Sequence, residues 1–425
     1  MEGNPAERFF DYLDADPVEA RFFWTGGPVE VAERTWFQSQ GSGVTAFETD
    51  DGLVLIDAGT VFFGEVLAER VRTQTQAPLH TVVYTHGHID HAFGTAEFLL
   101  PGQARPRVVG HENMAERFAR YEVTARHNHV INTRQFGGSP EDADMASPEA
   151  VDGFGRPDYV PDTVYAERLE LEVGGLTFQL RHCRGETDDH TWVYCPEREV
   201  LCPGDLVIWA VPNAGNPQKA QRYPWDWAAG LREMAALRPR SLAPGHGGPV
   251  VQDPDTVHRI LTESAGFLEH IVEAVVARLE AGSPPHVDIV TSIDYPGPDS
   301  PWLQTLYDDA EFIARNVIRY YGGWYTGRPS ELKPPARSDL ATQIADLAGG
   351  TDALVARAQE LDGAGHQRVA GALLDLALEA EPGNEAVQDS VAELYDRRAD
   401  AEPGLMATNL YRSAAAYARA GRPYC

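Results

Sequence analysis

The chain has 425 residues, 43% of them hydrophobic, long enough for a large buried core and for more than one domain. Its 35 Lys and Arg residues face 64 Asp and Glu, a net charge of −29 that repels nucleic acid and anionic membrane surfaces at long range. Four cysteines in a chain of this length are no disulfide framework, and no run of roughly eighteen apolar residues marks a membrane span.

In chain order, Met1-Glu2-Gly3-Asn4-Pro5 lacks the basic and apolar stretches of a secretory leader, so a cytoplasmic protein is expected. Val44-Thr45-Ala46-Phe47-Glu48 alternates, Asp50-Asp51-Gly52 turns the chain, and Leu53-Val54-Leu55-Ile56-Asp57-Ala58-Gly59 returns, which predicts a strand pair. A helix is expected over 63–72. The apolar run Thr81-Val82-Val83-Tyr84 then leads into Thr85-His86-Gly87-His88-Ile89-Asp90-His91. Three imidazoles and a carboxylate fall within six positions of that segment. Imidazole nitrogen and carboxylate oxygen suit zinc and similar divalent ions, whereas a set without thiolate argues against iron–sulfur or Cu(I) chemistry. On a tight loop behind a strand, His86 and His88 can converge on one ion while Asp90 and His91 turn toward a neighbouring one.

Residues 112–134 have helical spacing of apolar positions, and 137–162 are rich in Gly, Pro and acidic residues, the composition of a lid, a dimer arm or a disordered stretch. His111, His127 and His129 flank or lie in this insertion and are read as packing or contact residues. Strands are predicted at 163–171, 176–182, 191–195 and 200–206, with Cys183 and Cys202 as core residues. Leu201-Cys202-Pro203-Gly204-Asp205 sets a carboxylate at the end of one such strand, and Leu242-Ala243-Pro244-Gly245-His246-Gly247 sets an imidazole behind another. A helix is expected over 225–237. Trp209, Trp225 and Trp227 are either core residues or an apolar wall for a substrate chain. Asp253-Pro254, an N-cap followed by an N1 proline, opens a helical half of the chain. Long helices are predicted at 253–281 and 303–321. Shorter ones follow, broken at Gly349-Gly350, Gly363-Ala364-Gly365 and Pro382-Gly383-Asn384, where 369–380 and 385–395 resemble a tetratricopeptide-like pair.

The H-x-H-x-D-H loop, the strand pair ending in Asp57, and the later Asp205 and His246 segments, in this order, resemble the metallo-β-lactamase superfamily. The resemblance implies an α+β fold: an αββα sandwich over 1–252, with an insertion at about 111–162, followed by an all-helical, tetratricopeptide-like domain over 253–425. It also implies two divalent metal ions, expected to be Zn2+. His86 and His88 would serve one ion, Asp90, His91 and His246 the other, and Asp205 would bridge them, with Asp57 orienting the loop from behind. At Arg184-Gly185-Glu186-Thr187-Asp188-Asp189-His190 most of the superfamily carries G-H-T, and the His completes the first metal site. Glu186 in that place resembles the alkylsulfatase branch, where a Glu is a ligand, and the spacing from Glu186 to Asp205 fits that branch. Gly110-His111-Glu112-Asn113, Tyr320-Tyr321-Gly322-Gly323-Trp324-Tyr325 and the segment 405–415 are similar to its dimerisation elements and imply a homodimer. Two positions depart from the branch. Asp205 stands where it tends to carry Glu. Of its sulfate-contacting Asn and Arg, Asn213 matches, while the Arg position falls near Gln218 and Lys219, with Arg222 close by.

The implied activity is hydrolysis of a small-molecule ester, an alkyl sulfate above all, by a hydroxide shared between two ions. Asp90, Asp205 and His190 are the catalytic candidates, and Asn213, Asn216, Lys219 and Arg222 the candidates for holding an anionic substrate group. A lactonase, thioesterase or phosphodiesterase on the same scaffold is the alternative, because a fold does not set a substrate. A diiron oxygen- or nitric-oxide-reducing enzyme is disfavoured by His88, where such enzymes tend to carry Glu. A helical scaffold with a relic metal site is disfavoured by the intact ligand set.

Overall fold

The computed structural model describes residues 26–144, 157–295 and 300–423, and the chain divides into two compact units. The first holds residues up to 125 together with 152–323. It contains a seven-stranded sheet in the order β1 (Gly26–Ala32), β2 (Thr35–Gln40), β3 (Ser42–Thr49), β4 (Gly52–Ile56), β5 (Leu79–Val83), β6 (Arg107–His111) and β7 (Thr163–Tyr165). Strands β1 to β4 pair antiparallel, and β4 to β7 run parallel. The second sheet has β8 (Arg168–Val173), β9 (Leu176–His182), β10 (Thr191–Cys195), β11 (Val200–Gly204) and β12 (Ser241–Pro244), parallel only between β11 and β12.

Alternating strand residues explain the sandwich. One face of each sheet meets the other in a core of Phe37, Phe47, Val54, Ile56, Val83, Phe178, Leu180, Val193 and Cys202. The opposite face of the larger sheet, with Val44, Leu53, Leu55 and Val82, is covered by helices α1 (Gly64–Arg72) and the start of the insertion helix, through Leu67, Val71, Met114 and Phe118. Beyond the smaller sheet, the helix Pro224–Ala236 packs on the long helix Pro254–Glu280, which also reaches β12. Burying so much of the parallel strands on both sides requires their near-continuous apolar sequence. The expected αββα layering is the observed one.

The second unit holds residues 126–151 and 324–425, described over 126–144 and 324–423. It is helical: Arg337–Ala348, Thr351–Gly363, Gln367–Ala380, Glu385–Ala401 and Leu405–Arg419, packed about Leu354, Ala358, Leu374, Leu378, Val391, Leu394 and Ala415. The breaks fall at the glycine turns, with Gly349 left-handed at φ 93° where it ends a helix.

Several boundaries differ from the sequence expectation. The single strand expected over 163–171 is two, β7 and β8, one in each sheet. The helix expected over 303–321 begins only at Ala310, because Asp309 caps it by accepting from Glu311 N at 2.7 Å and Asp308 is occupied with backbone amides. The insertion helix, Met114–Gln135, is interrupted at Thr124, beside the residue where the chain leaves the first unit. That unit continues to Gly323, so the long helix after Pro254 belongs with the sheets and not, as its helical periodicity implied, with the helical domain from 253 onward. Strands β1, β2 and β6 were not anticipated. The N-terminal residues read for a leader, and residues 145–156 of the acidic loop, lie outside the described residues.

The helix start expected at Asp253-Pro254 holds in detail: Asp253 accepts from Thr256 N at 3.0 Å and Pro254 occupies the first turn. Asp253→Ala is therefore expected to lower unfolding free energy by about 1 kcal/mol, read as a reduced denaturant midpoint with unchanged slope.

Candidate metal centre

All seven sequence-predicted ligands come together at one end of the sandwich, where β4, β5, β11 and β12 stop. The two sheets are tied there by Thr191 N donating to Thr85 O at 2.7 Å and Gly43 N to Gly245 O at 2.6 Å, while Gly245 N to Gly204 O at 2.9 Å joins the ends of β12 and β11. Behind the histidine loop, Asp57 is buried in a left-handed conformation (φ 62°) at the end of β4. It accepts from Thr85 N at 2.7 Å and Thr85 Oγ1 at 2.8 Å, and its Oδ2 lies 2.8 Å from His91 Nδ1. With Nδ1 bonded to this carboxylate, His91 presents Nε2 to the pocket.

His86, His88, Glu186 and Asp205 offer ligand atoms all within 4.8 Å of one another, and so do Asp90, His91 and His246. Asp205 reaches both sets: its carboxylate lies 3.7 Å from His86 Nε2, 3.1 Å from His91 Nε2 and 3.4 Å from His246 Nε2. His86 Nε2 and His88 Nδ1 are 2.8 Å apart, too close for two ring protons. Glu186 Oε2 is buried and makes no hydrogen bond among the described residues, and His91 Nε2 faces Asp205 Oδ1 at 3.1 Å without well-aligned hydrogen-bond geometry. Buried polar atoms left in this way cost about 1–3 kcal/mol each. A nitrogen-and-oxygen set of this kind, with lone pairs converging and no thiolate, fits one or two divalent cations.

The electrostatics divide the set. Burial drives His86 well below the ordinary imidazole value, with the neighbouring His91 and His88 adding to it, so its nitrogens are free of the second proton that would block ligation. Burial would also depress His91, but Asp205, Asp90 and Asp57 overcome it and hold that imidazole well above its ordinary value. Burial would raise Asp205, yet His91 and His246 hold it well down. Asp90 is held at about 2 by the same two histidines against burial, and its side chain is 32% open to solvent.

The remaining predicted site residues divide. Arg222 and Asn213 are buried and converge on one atom, Glu186 Oε1, at 2.5 and 2.6 Å. Lys219 is half-buried with its ammonium lowered to about 8 by burial, against the opposing pull of Asp90. Asn216 is turned into its own loop, its Oδ1 accepting from Gln218 N at 3.2 Å. His190 lies fully buried, its ring stacked on that of His86 at 4.8 Å between centroids, and burial takes its pKa to about 3. Trp209 and Trp227 are core residues bonded to backbone carbonyls of Gly248 and Leu206, while Trp225 is exposed. His111 is buried and stacked on His182 at 3.8 Å.

Two groups of residues at the centre escaped the sequence reading. Asp189, wholly buried, accepts from Gly87 N at 2.9 Å in the middle of the histidine loop and from Arg117 Nε at 2.8 Å on the insertion helix. Only the doubled Asp188-Asp189 beside Glu186 hinted at it, and nothing local pointed to Arg117. The second group, Asp308 and Asn316, supports residues 213–222 from far along the chain. Arg117→Met strands the Asp189 carboxylate without its cation. It should lower stability by about 3–5 kcal/mol, measured by chemical denaturation.

Comparison with known proteins agrees with this geometry. The metallo-beta-lactamase superfamily model matches residues 41–246, and the alkyl sulfatase dimerisation model matches 287–421. A linear primary-alkylsulfatase of Pseudomonas sp. (strain ATCC 19151) is 24% identical over 382 residues, covering 86% of this chain and 71% of that one. An (R)-specific secondary-alkylsulfatase of Pseudomonas sp. is 24% identical over 411 residues, 90% of this chain but 60% of its own length. A 2,4-dinitroanisole O-demethylase subunit alpha of Nocardioides sp. (strain JS1661) is 24% identical over 333 residues, 72% of this chain and 86% of that one. The solved structure of the stereoselective inverting sec-alkylsulfatase Pisa1 from Pseudomonas sp. superposes with a TM-score of 0.82 at 20% identity, covering 98% of this chain and 70% of that one. Sandwich, ligand cluster and helical tail thus agree with both family matches: residues 41–246 form a metallo-β-lactamase superfamily region, and residues 287–421 an alkylsulfatase-type dimerisation region.

Proposed function

We propose that the protein is a metal-dependent hydrolase that cleaves an alkyl sulfate ester to an alcohol and inorganic sulfate. The observation that carries this reading is the convergence of four histidines and three carboxylates around one pocket, with Arg222 and Asn213 meeting at Glu186 beside it. In this reading His86, His88 and Glu186 hold one ion, Asp90, His91 and His246 hold the other, and Asp205 lies between them. Zinc suits the set best among common divalent metals, since imidazole and carboxylate are its usual ligands. When bound, two such ions supply Lewis acidity and bring the pKa of a shared water near neutrality.

The chain's own residues supply the rest. Asp90 stays ionised and partly open to solvent, so it accepts a hydrogen bond from the attacking water and orients it. Asp57 and Asp189 hold the histidine loop from behind, through His91 and through Gly87. Arg222, Lys219 and the Asn213 amide offer the positive charge and donors that an anionic sulfate group needs inside a chain of net charge −29. Asn216 shapes the loop that carries them. His190, buried and neutral, fixes the ring plane of His86 and is not an acid. The helical second unit serves a homodimer, and the free, buried cysteines Cys183, Cys195 and Cys202 accord with a reducing, cytoplasmic setting. Among the described residues no helix is long and apolar enough to cross a membrane.

A second reading, in which the same centre opens a lactone, thioester or phosphodiester, stands because a fold does not set a substrate, and one relative carries a name that is not a sulfatase's. A screen of protein reconstituted with Zn2+ separates the two: release of sulfate from medium-chain alkyl sulfates is expected, and turnover of lactones or phosphodiesters without any sulfate release would sink the sulfatase assignment. Elemental analysis should find close to two ions per chain; fewer than about one would sink the dinuclear centre. Glu186→Ala should lose metal and activity together, and a variant that keeps both shows that Glu186 is not a ligand.

A further inference from the structure

Residues 213–222, which carry Asn213, Asn216, Lys219 and Arg222, form neither helix nor strand, yet half of them are buried. A buried irregular segment has no ladder for its backbone groups, so their partners must come from elsewhere. Here they come from about ninety positions further along, in the part of the chain matched by the dimerisation family model. Asp308 is fully buried, and its Oδ2 accepts from Gly215 N at 2.5 Å and Asn216 N at 3.2 Å, while Oδ1 accepts from Asp309 N at 2.8 Å. Asn316, on the buried side of helix Ala310–Gly322, donates through Nδ2 to Ala214 O at 2.9 Å and Arg222 O at 3.0 Å. Its Oδ1 accepts from Gln221 Nε2 at 3.1 Å and Arg222 N at 3.4 Å. One amide side chain thus holds both ends of the loop. The approach is close: a methyl group on Gly215 would lie 2.6 Å from the backbone of Phe312 and Ile313.

The two residues that these contacts bracket, Asn213 and Arg222, are the pair that meets Glu186 Oε1. Arg222 has no helix or strand of its own to aim it, so its guanidinium position is set by where Asn316 holds its backbone. We propose that Asp308 and Asn316 are positioning residues for anion recognition, so that the opening of the dimerisation segment is a working wall of the substrate site. They touch neither the ligand cluster nor the proposed substrate. They act by holding Asn213 and Arg222 in place before an anion arrives, which removes the ordering cost from binding.

The inference rests on the sulfate-ester reading, and the test separates the two. Asp308→Asn exchanges a charged acceptor of three amides for a group that accepts fewer. Asn316→Ser removes the link between the loop's ends without changing charge, and serves if the first variant folds poorly. Metal-loaded parent and variants would be compared for metal content, for inorganic sulfate binding by calorimetry, and for amide hydrogen exchange over 213–222. The expected result is unchanged metal content, a sulfate Kd raised about tenfold or more, and faster exchange confined to the loop. With an alkyl sulfate, KM should rise more than kcat falls. Unchanged exchange and unchanged sulfate affinity in both variants would overturn the proposal, as would loss of metal along with sulfate. Parent protein that holds metal but binds no sulfate would overturn the sulfatase reading instead, while faster loop exchange in the variants would still support the positioning role.

Discussion

The centre depends on one buried carboxylate. Asp57 sits where β4 ends, in a backbone conformation that few residues other than glycine adopt, and all its acceptor capacity points at the next strand's loop. By bonding Thr85 twice and His91 once, it sets the loop's entry point and decides which nitrogen His91 shows to the pocket. Without that constraint, seven candidate ligands from four segments would have no common origin. The close ties between the two sheets at Thr85 and Gly245 then place Asp205 and His246 opposite the loop.

Around this origin the molecule builds outward in supports that are each buried and charged. Arg117 and Asp189 restrain Gly87, and Arg222 and Asn213 meet Glu186. Such pairs are poor sources of stability, because desolvation offsets their attraction. Their value lies in fixing geometry, which a site that must present several ligand atoms at once requires. The cost falls on the centre itself: imidazoles and carboxylates packed at these distances, some without a hydrogen bond, form an arrangement that a divalent cation completes.

Much of this was legible in the sequence for a physical reason. His86, His88, Asp90 and His91 lie within six positions, so one tight loop brings them together whatever the rest of the chain does. Asp205, Glu186 and His246 each follow or adjoin an apolar strand, and parallel strands deliver their ends to one edge of a sheet. The strand pair closing at Asp57 and the helix opening at Asp253-Pro254 were visible through turn and capping chemistry. The misread places share a cause. A single strand-like stretch over 163–171 hid a change of sheet, which period alone does not reveal, and helical spacing over 303–309 was overridden by side chains bonding to distant backbone.

The sequence by itself determined the ligand types, the sandwich with its helical tail, and the grouping of the histidine loop, since these follow from residue chemistry and local periodicity. Only the tertiary structure decided that Asp189 and Arg117 brace the loop, that His190 is buried behind His86, and that Asp308 and Asn316 hold the segment carrying Asn213 and Arg222. It also decided that the long helix after Pro254 belongs with the sheets. Each of these depends on which buried backbone or charged group lacked a local partner and found one far along the chain, and local patterns of residues carry no record of that.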